Sequence, residues 1–70
     1  KPTIEFNLTN RELEVLSLLP TGVTASAIAG MLFLTEPTVK THLSAIYRKL
    51  SATNRAQAVS IALVNNLIIQ

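Results

Sequence analysis

Residues 35–50 read TEPTVKTHLSAIYRKL and write two chemistries onto opposite sides of one predicted helix. Val39, Leu43, Ile46 and Leu50 recur at helical spacing as a stripe to be buried. Lys40, Thr41, Ser44 and Arg48 make the other stripe, which is polar, cationic and free of carboxylates. Thr35 is the expected N-cap, Glu36 suits the positive end of the helix dipole, and Pro37 is tolerated in the first turn. The helix then continues to Leu50, about 22 Å at 1.5 Å per residue. A helix that is apolar behind and basic in front fits the major groove of DNA, which admits a helix and displays base-edge donors and acceptors between rows of phosphates. The same pattern also describes an ordinary solvated face, so the rest of the chain has to decide.

Upstream, residues 1–8 read as an extended lead-in. Thr9 followed by Glu12 matches a capping box, and helix one runs to about Leu19 with Leu13, Leu16 and Leu19 facing inward. Pro20 and Gly22 end it. Thr24 caps a short second helix whose apolar positions are Ile28, Ala29, Met31 and Leu32. Gly30 costs that helix about 1 kcal/mol relative to alanine, a cost tolerated where another helix approaches closely. Phe33 and Leu34 then form a tight turn into Thr35. Two short helices joined in this way, the second bearing the basic stripe, have the order and length of a helix-turn-helix unit.

Downstream, Asn54 with Gln57 makes a second capping box. The fourth helix is expected to run to about Asn66. Ala56, Ala58, Val59, Ile61, Ala62, Leu63 and Val64 fall on nearly every side of it, and a helix apolar all round is buried all round. In so thin a domain its second face needs another partner, read here as a second subunit meeting Ala58, Ile61, Ala62 and Asn65.

Composition bounds the alternatives. Seventy residues make one small domain near the lower limit for a single apolar core. Hydrophobic residues are 49% and charged residues 14%, which excludes disorder and leaves a greasy surface. Charge is segregated: residues 1–36 hold Lys1 and Arg11 against Glu5, Glu12, Glu14 and Glu36, whereas residues 37–70 hold Lys40, Arg48, Lys49 and Arg55 and no acid. Such asymmetry points to a polyanion partner. There is no aspartate, no cysteine, one histidine and no glycine-rich phosphate loop, so neither a nucleophile–base pair nor a metal cluster is expected, and no enzyme or cofactor is implied. No apolar run reaches the roughly 18–20 residues that cross a bilayer, and the expected location is the cytoplasm.

LTNRELEVL at residues 8–16, Gly22, Ile28 and Ala29, TEPTVKTHLSAIYRKL, and Asn54 with Arg55 resemble the DNA-binding domain of the LuxR/FixJ family of bacterial transcription regulators. The resemblance covers roughly residues 7–67 through several separated motifs in the right order. It implies an all-α, four-helix bundle whose second and third helices form the helix-turn-helix and whose fourth helix pairs two subunits. The domain is set at residues 7–68, with residues 1–6 leading in from an absent N-terminal regulatory domain.

By the same resemblance Lys40, Thr41 and Ser44 match base-reading positions. Lys40 has the reach and charge for guanine acceptors, Thr41 suits a thymine methyl, and Ser44 suits almost any base. Thr24, Thr35, Thr38, His42, Lys49 and Asn54 match phosphate contacts, joined by Arg48 from the basic stripe. Thr24, Thr35 and Asn54 are also helix caps, which alone would justify them. Tyr47 is expected to pack its ring on a neighbouring helix, and Glu12 to pair with Arg55. The sequence departs from the family pattern at Ala27, where glutamate would complete a capping box, and at Ser51, where glycine commonly ends the recognition helix. Four cations in the basic half give a monomer only about 4 counterions' worth of salt dependence.

The expected function is sequence-specific binding of double-stranded DNA as the output domain of a transcriptional regulator, of the response-regulator or ligand-sensing type. It would bind inverted repeats as a homodimer and work with RNA polymerase, without a membrane or a small molecule in this domain. Two other readings stay open: a sigma-factor-like promoter reader, and a helical protein-interaction module with little DNA affinity.

Overall fold

The computed structural model describes residues 6–68, and each of the four helix starts is built by the cap its sequence supplies. The Thr9 hydroxyl accepts from the Glu12 amide at 3.1 Å while the Glu12 carboxylate accepts from the Thr9 amide at 2.9 Å, completing the first capping box. Helix α1 follows over Asn10–Leu18 and tightens into a 3₁₀ turn, Leu19–Thr21, that contains Pro20. Gly22, at φ +83°, reverses the chain. Thr24 accepts from the Ala27 amide at the head of α2, Ala25–Leu32. Thr35 accepts from the Thr38 amide at the head of α3, Glu36–Leu50. Asn54 accepts from the Gln57 amide at the head of α4, Arg55–Val64. No strand is present among the described residues, so the all-helical expectation holds.

The second capping box is only half formed. The Gln57 side chain accepts from the Thr53 amide at 2.6 Å and lies 3.0 Å from the Thr53 hydroxyl, not from the Asn54 amide, so it secures the residue before the cap. Helix α4 also stops two residues short of Asn66. Asn66 takes a positive φ of 57° and Leu67 donates to the Ala62 carbonyl, a left-handed termination that turns the chain back over the core.

Helices α2 and α3 end by the same device without glycine. Phe33 and Ser51 occupy the left-handed region, and their amides and those of the following residues return to carbonyls of the preceding turn. Each carries a Cβ where glycine would be unstrained. Phe33 is also 94% exposed, so its place in the turn owes nothing to burial of its ring.

Helix α3 is the element against which α1, α2 and α4 all pack, and α4 also meets the 3₁₀ turn. Val39, Ile46 and Leu50 of α3 close a core with Val15, Leu16, Leu19, Ile28, Ala29, Ala58, Ala62 and Ile68. Each fully buried aliphatic side chain contributes roughly 1.5–3 kcal/mol. On α1 the buried positions are Glu12, Val15 and Leu16, while Leu13 lies half-exposed. The inward face is thus turned from the one that Leu13 implied. Leu43 is likewise half-buried, and Met31 is exposed on α2. Tyr47 packs against the core, as expected.

Gly30 does not mark a close helix approach. A Cβ built there meets nothing within 4 Å. Replacing Gly30 with alanine should therefore stabilise the domain by about 1 kcal/mol, raising the thermal midpoint followed by circular dichroism by roughly 4–8 °C for a domain of this size. An unchanged or lowered midpoint would mean that the glycine serves something other than helix geometry.

Candidate nucleic-acid interface

With Val39, Ile46 and Leu50 buried, the 3.6-residue repeat leaves one side of α3 facing away from the other helices. Pro37, Lys40, Thr41, Ser44 and Arg48 are all exposed along it. Structure thus brings the three expected base-reading residues and Arg48 onto one outward strip. The Thr41 hydroxyl donates to the Pro37 carbonyl at 3.0 Å, so its proton is spent within the helix and its methyl group and oxygen lone pairs remain for a partner. The Lys40 side chain is 66% exposed, with its ammonium 3.3 Å from the Glu36 carboxylate one turn earlier. That acid lies in the first turn of the same helix, so the strip is not free of carboxylates as the sequence reading had it.

The expected phosphate-contacting residues divide into two groups. Thr24, Thr35 and Asn54 are exposed at helix starts and engaged as caps, and the hydroxyls of Thr35 and Thr38 lie 2.8 Å apart. Helix starts of this kind place partly positive amides at the surface. Arg48 is exposed and makes no ion pair among the described residues. His42 is half-buried.

Lys49 differs from all of these. Its ammonium donates to the Glu12 carboxylate at 2.8 Å and to the Asn7 carbonyl at 2.8 Å. It thereby ties the segment before α1 to the far end of α3, with Asn7 itself at φ 57°. Glu12 is the single buried charged residue among those described, only 6% exposed. The expected pairing of Glu12 with Arg55 does not form. Arg55 instead turns its guanidinium to the Leu19 carbonyl, at 2.8 and 3.2 Å, capping the 3₁₀ turn from α4. Two of the four cations in the basic half of the chain are thus occupied in holding the helices together.

On α4, Ala58 and Ala62 are fully buried against their own core. They are closed to a second subunit because their small side chains let α4 approach the core closely. Ile61 is half-buried, and Asn65, also half-buried, donates from its amide nitrogen to the Ile61 carbonyl. The outward face carries Ala56, Gln57, Ser60 and Val64 instead. The all-round apolar pattern of α4 concealed this division, because alanines do not announce which side they face.

Set beside known proteins, residues 6–62 match the family described as bacterial regulatory proteins, luxR family. The chain belongs to the luxR family. This decides between the two helix-turn-helix resemblances that the sequence left open. The domain is 49% identical over 55 residues to the probable csgAB operon transcriptional regulatory protein of Salmonella typhimurium, covering 79% of this chain and 26% of that protein. It is 45% identical over 62 residues to the transcriptional regulatory protein LiaR of Bacillus subtilis, covering 89% and 29%. With the response regulator VraR of Staphylococcus aureus it shares 46% identity over 61 residues, covering 87% and 29%. Its structure resembles the crystal structure of the response regulator ChrA of a heme-sensing two-component system, with a TM-score of 0.84 and 43% identity. That likeness covers 97% of this chain and 33% of ChrA. The luxR-family domain thus spans about a third or less of these relatives. No helix among the described residues is long and apolar enough to cross a membrane.

The Glu12–Lys49 pair has a pH signature. Burial pushes the Glu12 carboxyl up, but the hydrogen bonds from Lys49 and the Thr9 amide, with the positive charges of Lys49 and His42, outweigh it and hold the group below its ordinary value. A carboxylate depressed in the folded state stabilises it fully above its unfolded value, about 4.3 for glutamate, and this contribution disappears as pH falls through the folded value. Glu12→Gln should lower stability at pH 7 by roughly 1–3 kcal/mol in urea unfolding. It should also flatten the loss of stability that the parent domain shows on acidification below about pH 4.

Proposed function

We propose that this luxR-family domain is the DNA-reading output module of a longer bacterial transcriptional regulator, and that it docks α3 in the major groove of double-stranded DNA. The observation that carries the reading is the single outward strip of α3. Lys40, Thr41 and Ser44 lie exposed where base edges would meet them, with Arg48 at one end and the Thr35 and Thr38 hydroxyls at the other. Lys40 is the residue with reach and charge for guanine acceptors, while Thr41 and Ser44 add contacts of lower selectivity. Thr24, Thr35, Thr38, His42, Arg48 and Asn54 are the phosphate-facing set. Lys49 is left out of it because its donors are committed to Glu12 and Asn7.

Affinity per subunit is expected to be low. With Lys49 and Arg55 engaged internally, the exposed cations of the strip are Lys40 and Arg48, so the log–log salt slope is at most about 1.8 per subunit. Tight binding then calls for two copies. The homodimer belongs to the same proposal, paired through the outward face of α4 at Ala56, Ser60 and Val64 with Ile61 at its margin, and placing two α3 helices about 34 Å apart on inverted half-sites. The part of the regulator beyond this domain would receive the signal, as a receiver or ligand-binding unit, and the bound dimer would act on RNA polymerase in the cytoplasm.

Fluorescence anisotropy tests the reading, using duplexes selected from random DNA and titrated with the 70-residue chain at two salt concentrations. The expected result is salt-sensitive binding to an enriched sequence of two half-sites. Lys40→Ala should lose sequence preference, and Val64→Glu should keep single-half-site binding while losing preference for the paired site. Binding no tighter than about 10⁻⁴ M and indifferent to Lys40→Ala would point instead to a protein-interaction module.

A further inference from the structure

The geometry points to Glu36 as a specificity-determining residue: its carboxylate, 3.3 Å from the Lys40 ammonium, makes Lys40 a reader of G·C base edges rather than a phosphate clamp. This rests on the DNA-reading proposal above and deepens it.

A lysine on a DNA-facing helix is a compact charge on a flexible stem. Left alone, it is drawn to the nearest phosphate, and phosphate contacts carry no sequence information. Glu36 changes the balance. It lies one turn N-terminal to Lys40, the favourable order for an acid–base pair along a helix. Both side chains are about half exposed or more, so in water the pair is screened and adds little to the fold. Its consequence appears on contact with DNA. If Lys40 swings away to a phosphate, Glu36 is left unpartnered in the field of a polyanion. If Lys40 donates to guanine O6 or N7, the pair can stay together, and Glu36 can accept from a cytosine N4 amino group on the same or the next base pair. Groove contact also removes water and strengthens the interaction. The acid thus penalises non-specific binding and favours one class of base edge, combining a repulsive element with an attractive one.

The experiment uses the 70-residue chain as wild type, Glu36→Gln, Lys40→Met and the double variant, each titrated with the selected duplex and with a scrambled duplex over a salt series. Glu36→Gln is expected to bind the scrambled duplex about threefold to tenfold tighter. Its salt slope on that duplex should steepen by about 0.9 per bound subunit as Lys40 is released to a phosphate. Its preference for the selected duplex should fall by at least about fivefold. In the Lys40→Met background, which already lacks the preference, the same change should leave the salt slope on the scrambled duplex unaltered. A purely structural role at the helix start would instead weaken binding to both duplexes and leave the slope alone. If Glu36→Gln keeps the wild-type preference and slope, or steepens the slope equally without Lys40, the inference is overturned while DNA reading stands. If the wild type itself fails to distinguish the duplexes and Lys40→Met changes nothing, both fall together.

Discussion

Helix α3 has to be gripped on one side and bare on the other, and the rest of the domain follows from how that is done. Its buried residues, Val39, Ile46 and Leu50, enter a core to which α1, α2 and α4 each contribute. Packing from three helices fixes the rotation of α3 about its own axis. A slip of one residue would turn it by about 100° and carry Lys40, Thr41 and Ser44 out of the outward strip. Rigidity of this kind is what a recognition surface requires, because groups already held in place lose less freedom on binding.

So small a core leaves little stability to spare, and polar fixtures carry part of the load. Lys49 joins the end of α3 to Glu12 and to the segment before α1, while Arg55 joins α4 to the Leu19 carbonyl. The first partners a carboxylate that would otherwise be costly to bury, and the second adds a charged donor to the Leu19 carbonyl, which also accepts from the Gly22 amide. Each also removes a cation from the surface. The domain therefore meets a polyanion with few positive charges, and Lys40, one of them, is already shared with Glu36. Stability and electrostatic reach draw on the same residues. That competition is the physical reason to expect selectivity and pairing of subunits to matter more than attraction to phosphate.

Local chemistry was the legible part of the sequence. Thr9, Thr24, Thr35 and Asn54 all head the helices assigned to them, and α3 spans the residues its cap and apolar repeat indicate. Family membership was legible because its motifs are spread along the chain in fixed order. What stayed hidden depends on contacts far apart in sequence. Nothing local tells whether Glu12 will meet Lys49 or Arg55, since the partners lie 37 residues or more away. On α1, Leu16 and Leu19 turn inward as their spacing indicates, but Val15 and Glu12 complete the buried face and Leu13 is left half-exposed, which only the docking of the helix decides. On α4, buried Ala58 and Ala62 look no different from exposed Ala56 until the helix is docked. The Glu36–Lys40 pair lies within reach of sequence spacing alone, since an acid and a lysine four residues apart meet along one helix face.

The outward strip of α3 is the surface proposed to meet DNA. Nuclear magnetic resonance tests it most directly: the ¹⁵N-labelled domain is titrated with a selected duplex and every amide is followed. The largest shifts are expected at Thr38, Lys40, Thr41, Ser44 and Arg48 and at the capped starts of α2 and α4, with the buried residues of α1 little changed. Shifts confined to Met31, Phe33 and the outward face of α4, with α3 silent, would contradict it.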